Sequence, residues 1–244
     1  MVTNSEVAAS SIFRLPLTAR LMSLVGTIVI GVTALIMFGF LVAVLVADQW
    51  LVGVAIAVCA AILVVLTRYV ARDLQGKWGL RVILGAESVE LFLPKNRSLI
   101  HTVPGQHLTV PYSDIAAIET RLEAYPSFGM VNMQQPYVLR RKNGETNFLF
   151  EERAVGTGLQ TPYFSKLIDE IAARAKVEIR DLGMSEGRGG VLGVAHTEAA
   201  DWSAPALPAS RQARLMRRAV DTGKWAFLLV CLAFAVRWAV AVLR

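Results

Sequence analysis

One apolar stretch decides the fold: it reads LMSLVGTIVIGVTALIMFGFLVAVLVADQWLVGVAIAVCAAILVVL and runs from Leu21 to Leu66. Asp48 is the only charged residue in it, so the stretch divides into two uncharged runs. A helix needs roughly 20 apolar residues to cross the hydrocarbon core of a bilayer, and each run is about that long or longer. The sequence therefore predicts a transmembrane helical hairpin over residues 21–67, with its turn at Asp48 and Gln49.

Composition places the chain among membrane proteins. It has 244 residues, is 55% hydrophobic, and has a mean hydropathy of +0.49 and a formal net charge of +6. The basic excess lies beside the apolar segments, in residues 68–77 and 211–224, as expected of topology signals and lipid contacts. No basic face interleaved with aromatic residues is seen, so we predict no nucleic-acid partner. Cys59 and Cys231 both fall in apolar segments, which indicates small packing residues rather than a disulfide or a metal pair.

Basic residues around the hairpin predict its orientation. The turn carries no Lys or Arg, whereas Arg14, Arg20, Arg68, Arg72 and Lys77 lie on the opposite side. Positively charged flanks stay in the cytoplasm. The N-terminal lead, residues 1–20, and the chain after residue 68 are therefore predicted to be cytoplasmic.

A stripe of small residues follows one side of the second apolar run. Gly53, Ala57 and Ala61 recur every four residues, and such stripes allow helix backbones to pack closely in lipid. We interpret the stripe as packing the hairpin against itself. A face for a partner helix is the alternative.

From Trp78 onward the apolar residues alternate, which is typical of short strands. The strands predicted from this pattern cover residues 80–84, 89–93, 107–111, 114–125, 137–141 and 146–150. Asn143-Gly144 between the last two predicts a type I′ hairpin turn, because both residues tolerate positive φ.

One amphipathic helix closes this region. Thr161 is the expected N-cap and Pro162 the first helical residue. The apolar positions recur at three- and four-residue spacing and predict a face packed against the sheet; they are Phe164, Leu167, Ile168, Ile171 and Ala175.

Short antiparallel strands followed by one helix resemble a pleckstrin-homology (PH) barrel. With the hairpin in front, the arrangement resembles the membrane-attached bacterial PH-domain proteins. The residues that carry the resemblance are Val110–Ile115, Ser127–Gly129, Asn143–Gly144 and the helix Phe164–Ala175. It implies an α+β or all-β PH-like barrel over residues 78–180, capped by a C-terminal helix. It also implies a bacterial inner (cytoplasmic) membrane location and a scaffold or binding role without an assigned reaction.

Three further segments follow the barrel in this prediction. Residues 181–210 are rich in Gly, Ala, Ser and Pro and predict a flexible linker. Residues 211–224 form a basic juxtamembrane segment suited to an anionic leaflet, interrupted at Asp221–Gly223. Its apolar members Leu215, Met216 and Ala219 lie among four arginines, which are Arg211, Arg214, Arg217 and Arg218.

Residues 225–243 predict a third transmembrane helix, which makes three spans. Arg237 is an intramembrane charge near its far end, where the side chain can reach the interface. A re-entrant or surface helix is the alternative for this segment.

Catalytic chemistry finds little support in the sequence. The histidines His101, His107 and His196 lack Cys, Asp or Glu partners at ligand spacing, so we predict no metal and no cofactor. Gly187–Gly190 lacks the Lys-Ser/Thr of a phosphate-binding loop. Ser113 beside Asp114 lacks a nucleophile elbow, and a hydrolase is only the third hypothesis.

The leading hypothesis is a non-enzymatic inner-membrane scaffold, assembly factor or accessory subunit of a membrane protein complex. Membrane lipids and other integral-membrane subunits are the expected partners, and a homo-oligomer is a further option. The alternative is a module that senses anionic lipids or their headgroups. Its contacts would be Arg140, Arg141 and Lys142 at the hairpin tip, together with the 211–218 cluster. A solvated hairpin end is the other interpretation of the first three.

Overall fold

The structure, a computed structural model, describes residues 11–98, 100, 103–127, 130–153, 155, 162–187 and 202–242. Its elements are β1 (Ser11–Phe13), α1 (Leu17–Val46), α2 (Trp50–Gly79), β2 (Arg81–Leu84), β3 (Ser88–Leu93), β4 (Gln106–Pro111), β5 (Ile115–Ser127), β6 (Met130–Arg141), β7 (Thr146–Arg153), α3 (Ser165–Ala175), β8 (Ile179–Glu186) and α4 (Ala209–Val242). The described residues up to Ile115 form one compact unit, and those from Ala116 onward form a second.

The first unit contains the two apolar helices. α1 and α2 are 30 residues each and are long and apolar enough to cross a membrane. Both extend beyond the predicted 21–67. An uncharged run predicts only the part of a helix that suits lipid. The helical hydrogen bonding itself begins earlier in α1, at Leu17 after Pro16, and ends later in α2, at Gly79.

The turn between the helices is as tight as the sequence predicts. Asp48 adopts φ 61°, a left-handed conformation that Asp tolerates better than most residues. The Asp48 amide donates to the carbonyl of Leu45 and the Gln49 amide to that of Val44, each at 3.1 Å. These two bonds form a Schellman motif, which satisfies carbonyls at the end of α1. The Asp48 side chain also accepts a 2.7 Å hydrogen bond from the indole of Trp50.

The seam between α1 and α2 follows a different set of small residues from the predicted stripe. Gly53 is buried against Leu45, Ala57 is half-buried and Ala60 is buried, whereas Ala61 is exposed. Seven residues make nearly two helical turns, while eight overshoot them. Ala60 therefore returns to the face of Gly53, and Ala61 is rotated away from it.

Polar contacts hold the other end of the helix pair. The Ser23 hydroxyl donates to Asp73 Oδ2 at 2.7 Å, and Lys77 Nζ lies 2.7 Å from the same oxygen. Gly76 allows the loop after β3 to approach α2, since a Cβ there would lie 2.6 Å from the carbonyl oxygen of Asn96. Asn96 also bonds Arg72 and Gln75 through its side chain, so the loop is tied to α2.

The sheet of the first unit has the order β1-β2-β3-β4, with every pair antiparallel. β1 precedes α1 and β2 follows α2, yet Ile12 lies opposite Ile83. The helical hairpin is thus inserted between two paired strands. β1 lies in the N-terminal lead, for which the sequence predicts no strand. One face of the sheet is buried and carries Val82, Leu84, Val89, Leu91, Leu93 and Val110.

The sheet of the second unit has the order β7-β6-β5-β8. β8 is parallel to β5, with Ile179 opposite Ile118. The predicted flexible linker is therefore wrong for residues 181–186, and residues 188–201 of it lie outside the described residues. The described strands form two separate four-stranded sheets and no closed barrel.

The turn between β6 and β7 corrects the predicted type I′ geometry. Gly144 has φ 89°, but Asn143 is not in the positive-φ region. The Gly144 amide donates to the carbonyl of Arg141 at 3.0 Å, and the Arg141 amide donates to that of Glu145 at 2.8 Å. This is the three-residue loop in which a type I turn is followed by a glycine bulge.

α3 begins at Ser165, after the predicted start at Pro162, and Thr161 lies outside the described residues. The buried carboxylate of Glu152, from β7, accepts the amides of Phe164 at 2.6 Å and Tyr163 at 3.2 Å. A side chain distant in sequence thus supplies the N-terminal cap. The predicted apolar face is confirmed, since Leu167, Ile168 and Ile171 are buried.

α4 is one helix from Ala209 to Val242, without the predicted interruption at Asp221–Gly223. Leu215 and Ala219 are buried in a core cluster with Ala124, Val131, Met133, Val155 and Met184. The prediction that these apolar residues lie on a leaflet is wrong, because the second sheet already covers them. The backbone of the predicted third span is helical to Val242, but the side chain of Arg237 lies outside the described part.

Candidate functional site

A pocket of about 330 Å³ lies at the foot of the helical hairpin, within the first unit. We call it the arginine pocket; it is lined by Arg14, Arg20, Trp78, Gly79, Leu80, Arg81 and Phe92. Arg14 lies between β1 and α1, Arg20 in the first turn of α1, and Trp78 in the last turn of α2. The pairing of β1 with β2 brings these segments together, because it returns the start of α1 to the end of α2.

Aromatic rings hold two of the arginines. The Arg81 guanidinium lies 3.7 Å from the ring centroid of Phe92, its direct partner across β2 and β3. Phe92 stacks on His107 of β4 at 4.1 Å, and His107 Nε2 is 2.8 Å from Glu90 Oε1. The Arg20 guanidinium lies 5.6 Å from the ring centroid of Trp78. Cation–π contacts of this kind position a guanidinium without neutralising it.

The pocket has a strongly positive lining. Three of its lining residues are arginines, and none of the described residues that line it carries a carboxylate. In the part of the chain that the structure describes, Arg14, Arg20 and Arg81 form no ion pair, and the buried Nε of Arg20 has no hydrogen-bond acceptor. The first turn of α1 contains no acidic residue. Guanidinium donors suit planar or tetrahedral oxyanions, so the pocket can hold an anion.

The second polar feature is a buried hydrogen-bonded network on β5, in the second unit. Arg121 donates to Glu123 Oε1 at 2.7 and 2.9 Å, and the Tyr125 hydroxyl donates to Glu123 Oε2 at 2.5 Å. Trp202 lies over Arg121 at 4.1 Å. Burial, and then the charge of Glu123, raises the pKa of Tyr125 far above its usual range, so Tyr125 stays a donor. These groups satisfy one another, which indicates a structural role.

The basic residues predicted at the hairpin tip lie close together but are mostly neutralised. Arg140 donates two 2.8 Å hydrogen bonds to Glu119, which raise the Arg140 pKa. Arg141 pairs with Glu145 at 2.6 Å. Lys142 is exposed.

The basic residues predicted on α4 are divided by the packing of that helix. Arg211 pairs with both carboxylate oxygens of Glu186, at 2.8 and 2.9 Å from its Nη2. Arg214, Arg217 and Arg218 are exposed. These side chains lie apart from the buried face of Leu215 and Ala219.

Metal and nucleophile chemistry gain no support from the geometry. Among the described residues, no group of three His, Cys, Asp or Glu side chains is placed to hold a metal ion. His101 and His196 lie outside the described residues. Ser113 lies in a short 3-10 turn, Tyr112–Asp114, between β4 and β5.

Comparison with protein-family models, curated proteins and solved structures finds no match to this chain. The sequence predicts Arg14 and Arg20 as topology signals and predicts no functional role for Arg81. Their positions in the sequence could have predicted the pocket, because all three arginines flank the ends of the hairpin.

Proposed function

We propose that this chain is a non-enzymatic integral membrane protein that acts as a scaffold, assembly factor or accessory subunit of a membrane protein complex. The pairing of β1 with β2 across the helical hairpin carries the proposal. Both apolar helices leave the same sheet, with Pro16 and Leu80 close to its strands. A sheet joined to its anchor through two short connections is suited to holding a partner at a membrane surface.

The third span, the cellular location and the interaction domain are proposed from the sequence patterns. Residues 225–243 form a third span with Arg237 near its far end, and the sheets lie in the cytoplasm of a bacterium, beneath its inner membrane. The sheet-rich part serves as a PH-like interaction domain. Other integral-membrane subunits and lipids are its partners. A second copy of the chain is an alternative partner, for which the exposed Ala61 offers a small-residue surface on α2.

Co-purification tests the proposal. The tagged full chain is extracted from its native membrane in a mild detergent, and the proteins that accompany it are identified by mass spectrometry. A tagged membrane protein of similar size, extracted in parallel, controls for carry-over. We expect a stoichiometric set of integral-membrane subunits. Recovery of the chain alone would contradict the scaffold and accessory-subunit role.

Cysteine labelling tests the orientation separately. In a chain whose native cysteines are replaced by Ala, Asp48→Cys and Lys142→Cys are exposed in turn to a membrane-impermeant maleimide. Asp48→Cys should react in intact cells with a permeable outer envelope, and Lys142→Cys only after the inner membrane is broken. The reverse pattern would overturn the cytoplasmic placement.

A second candidate function is an anionic-lipid or headgroup-sensing module. The arginines of the arginine pocket favour it, since they form no ion pair among the described residues. The exposed Lys142, Arg214 and Arg217 would add long-range attraction. Binding of the full chain to phosphatidylglycerol should then weaken steeply with salt, because surface charge is screened within about 10 Å at 0.1 M salt. Binding that does not respond to salt would exclude this function.

A further inference from the structure

The arginine pocket differs from the arginine environments that contain a carboxylate. Arg140, Arg141, Arg153, Arg174 and Arg211 each meet a carboxylate. In the described residues Arg14, Arg20 and Arg81 meet none, although they converge on one cavity. Like charges gathered without a counter-charge repel one another, and an anion in the cavity would offset that repulsion.

One buried donor in the pocket lacks an acceptor. The Nε of Arg20 is shielded from solvent and has no hydrogen-bond partner among the described residues. A buried donor left unpaired is costly, and unsatisfied groups of this kind are rare in folded proteins. A ligand oxygen in the pocket would satisfy this donor.

Aromatic rings position two of the guanidinium groups. The guanidinium carbon of Arg20 lies over the ring of Trp78 and that of Arg81 over the ring of Phe92, at 5.6 and 3.7 Å from the ring centroids. A contact of this kind leaves the charge unneutralised, so these groups can still form the two parallel hydrogen bonds that arginine makes with phosphate. The volume of about 330 Å³ is within the range of about 300–1,000 Å³ of small-ligand sites.

The position of the pocket, beside the apolar part of the hairpin, favours a lipid as the source of a phosphate group. Arg20 directly precedes Leu21, where the apolar run of α1 begins. Trp78, at the end of α2, is 45% exposed and is of the residue type enriched at the level of lipid headgroups. We propose that the arginine pocket binds a phosphate group, supplied by the headgroup of an anionic phospholipid. The choice of a lipid rests on the proposed membrane insertion of α1 and α2.

The test uses the full chain purified in a non-ionic detergent and titrated with mixed micelles containing phosphatidylglycerol. Phosphatidylcholine micelles serve as the reference lipid. The pocket variant replaces Arg14, Arg20 and Arg81 by Gln. The matched control replaces Lys142, Arg214 and Arg217 by Gln, which removes the same charge from exposed positions elsewhere.

We expect the pocket variant to bind phosphatidylglycerol on the order of a hundredfold more weakly, at roughly fivefold for each arginine, and the control variant less than about tenfold more weakly. Replacing the same three arginines by Lys keeps the charge without the planar fork and should restore part of the affinity. Equal losses in the pocket and control variants, or no preference over phosphatidylcholine, would overturn the proposal. Thermal unfolding of each variant checks that it is folded.

Inorganic phosphate and glycerol phosphate separate the lipid from a soluble source. The lipid assignment predicts that neither displaces phosphatidylglycerol at equal concentration. Full displacement by either, lost in the pocket variant, would keep the phosphate site but overturn the lipid. Alkaline extraction of native membranes tests membrane insertion independently, and release of the chain would refute the proposed membrane function. If the chain is retained but the pocket variant still binds lipid normally, the phosphate site is refuted and the membrane function is not.

Discussion

Ile12 lies directly opposite Ile83 in an antiparallel ladder, although the entire helical hairpin separates them in the chain. This pairing makes the hairpin an insertion within a sheet. It also places both ends of the hairpin on the side where the sheet lies, and it closes the arginine pocket.

Deleting β1 should weaken the first unit. A deletion of residues 1–13 removes the strand and its backbone hydrogen bonds to β2, and we expect a loss of about 1–3 kcal/mol at about 1 kcal/mol for each bond. In a protein of this size each kcal/mol corresponds to roughly 2–4 °C in the melting temperature. Thermal unfolding in detergent measures the change. A deletion of residues 1–10 keeps β1 and is the control; equal melting temperatures for the two deletions would contradict the role of β1.

Replacing Gly76 by Ala should destabilise the contact between α2 and the loop after β3. The added Cβ would lie 2.6 Å from the carbonyl oxygen of Asn96 and 3.3 Å from the Cα of Arg97, so backbone must move. We expect a cost of about 1–3 kcal/mol, typical of overpacking. Gly26→Ala is the matched control, since a Cβ at Gly26 would meet nothing within 4 Å. A Gly76→Ala variant as stable as Gly26→Ala would show that the contact is looser than described.

Leu215 distinguishes a protein core from a lipid contact for the first part of α4. Leu215 is 1% exposed in its cluster, so Leu215→Ala should cost about 2–5 kcal/mol. Arg214→Ala, next to it on the exposed face, should change stability by no more than about 0.5 kcal/mol. Unfolding in detergent without anionic lipid measures both. If neither variant is less stable than the wild type under these conditions, the leaflet contact predicted from the sequence is favoured.

Glu152 should make stability depend on pH. Burial raises its pKa, and the amides of Phe164, Tyr163 and Ser165 oppose that effect only in part. An acid with a raised folded-state pKa stabilises the fold most below its unfolded pKa, and this contribution is lost as pH rises through the folded value. The melting temperature of the wild type should therefore rise relative to that of Glu152→Gln as the pH is lowered toward the ordinary carboxylate pKa of 4.5.

The control for this titration is Glu178→Gln, at an exposed position after α3. This variant keeps the buried Glu152 and controls for the loss of one carboxylate. A difference between the wild type and Glu152→Gln that does not change with pH would mean that Glu152 does not contribute to the pH dependence.

Local sequence patterns were sufficient to predict α1, α2, the buried face of α3 and several strands. The two long apolar runs predict α1 and α2, since the length of an uncharged run is read directly from neighbouring residues. The apolar spacing of Leu167, Ile168 and Ile171 predicts the buried face of α3 in the same way. β3 and β4 agree closely with their predicted limits for the same reason.

Local sequence patterns could not predict which strands pair when they lie far apart in the chain. β1 has three residues, too few to show a period, and it is stabilised by β2. β8 contains Gly183 with φ 77° and lies parallel to β5, so its composition resembles a linker while its hydrogen bonds are those of a sheet. The apolar face of the basic segment was identified, but its partner was not, because a buried helix face suits a sheet or a bilayer equally well.

The sequence alone established two apolar helices, their tight turn at Asp48 and a region of alternating strands, because each depends on residues close together in the chain. The two separate sheets, the seam at Ala60 and the gathering of Arg14, Arg20 and Arg81 came from tertiary pairing. The reason is physical. Hydrophobic period and run length are properties of a segment, whereas a cavity and its charge arise when segments far apart in the chain come into contact.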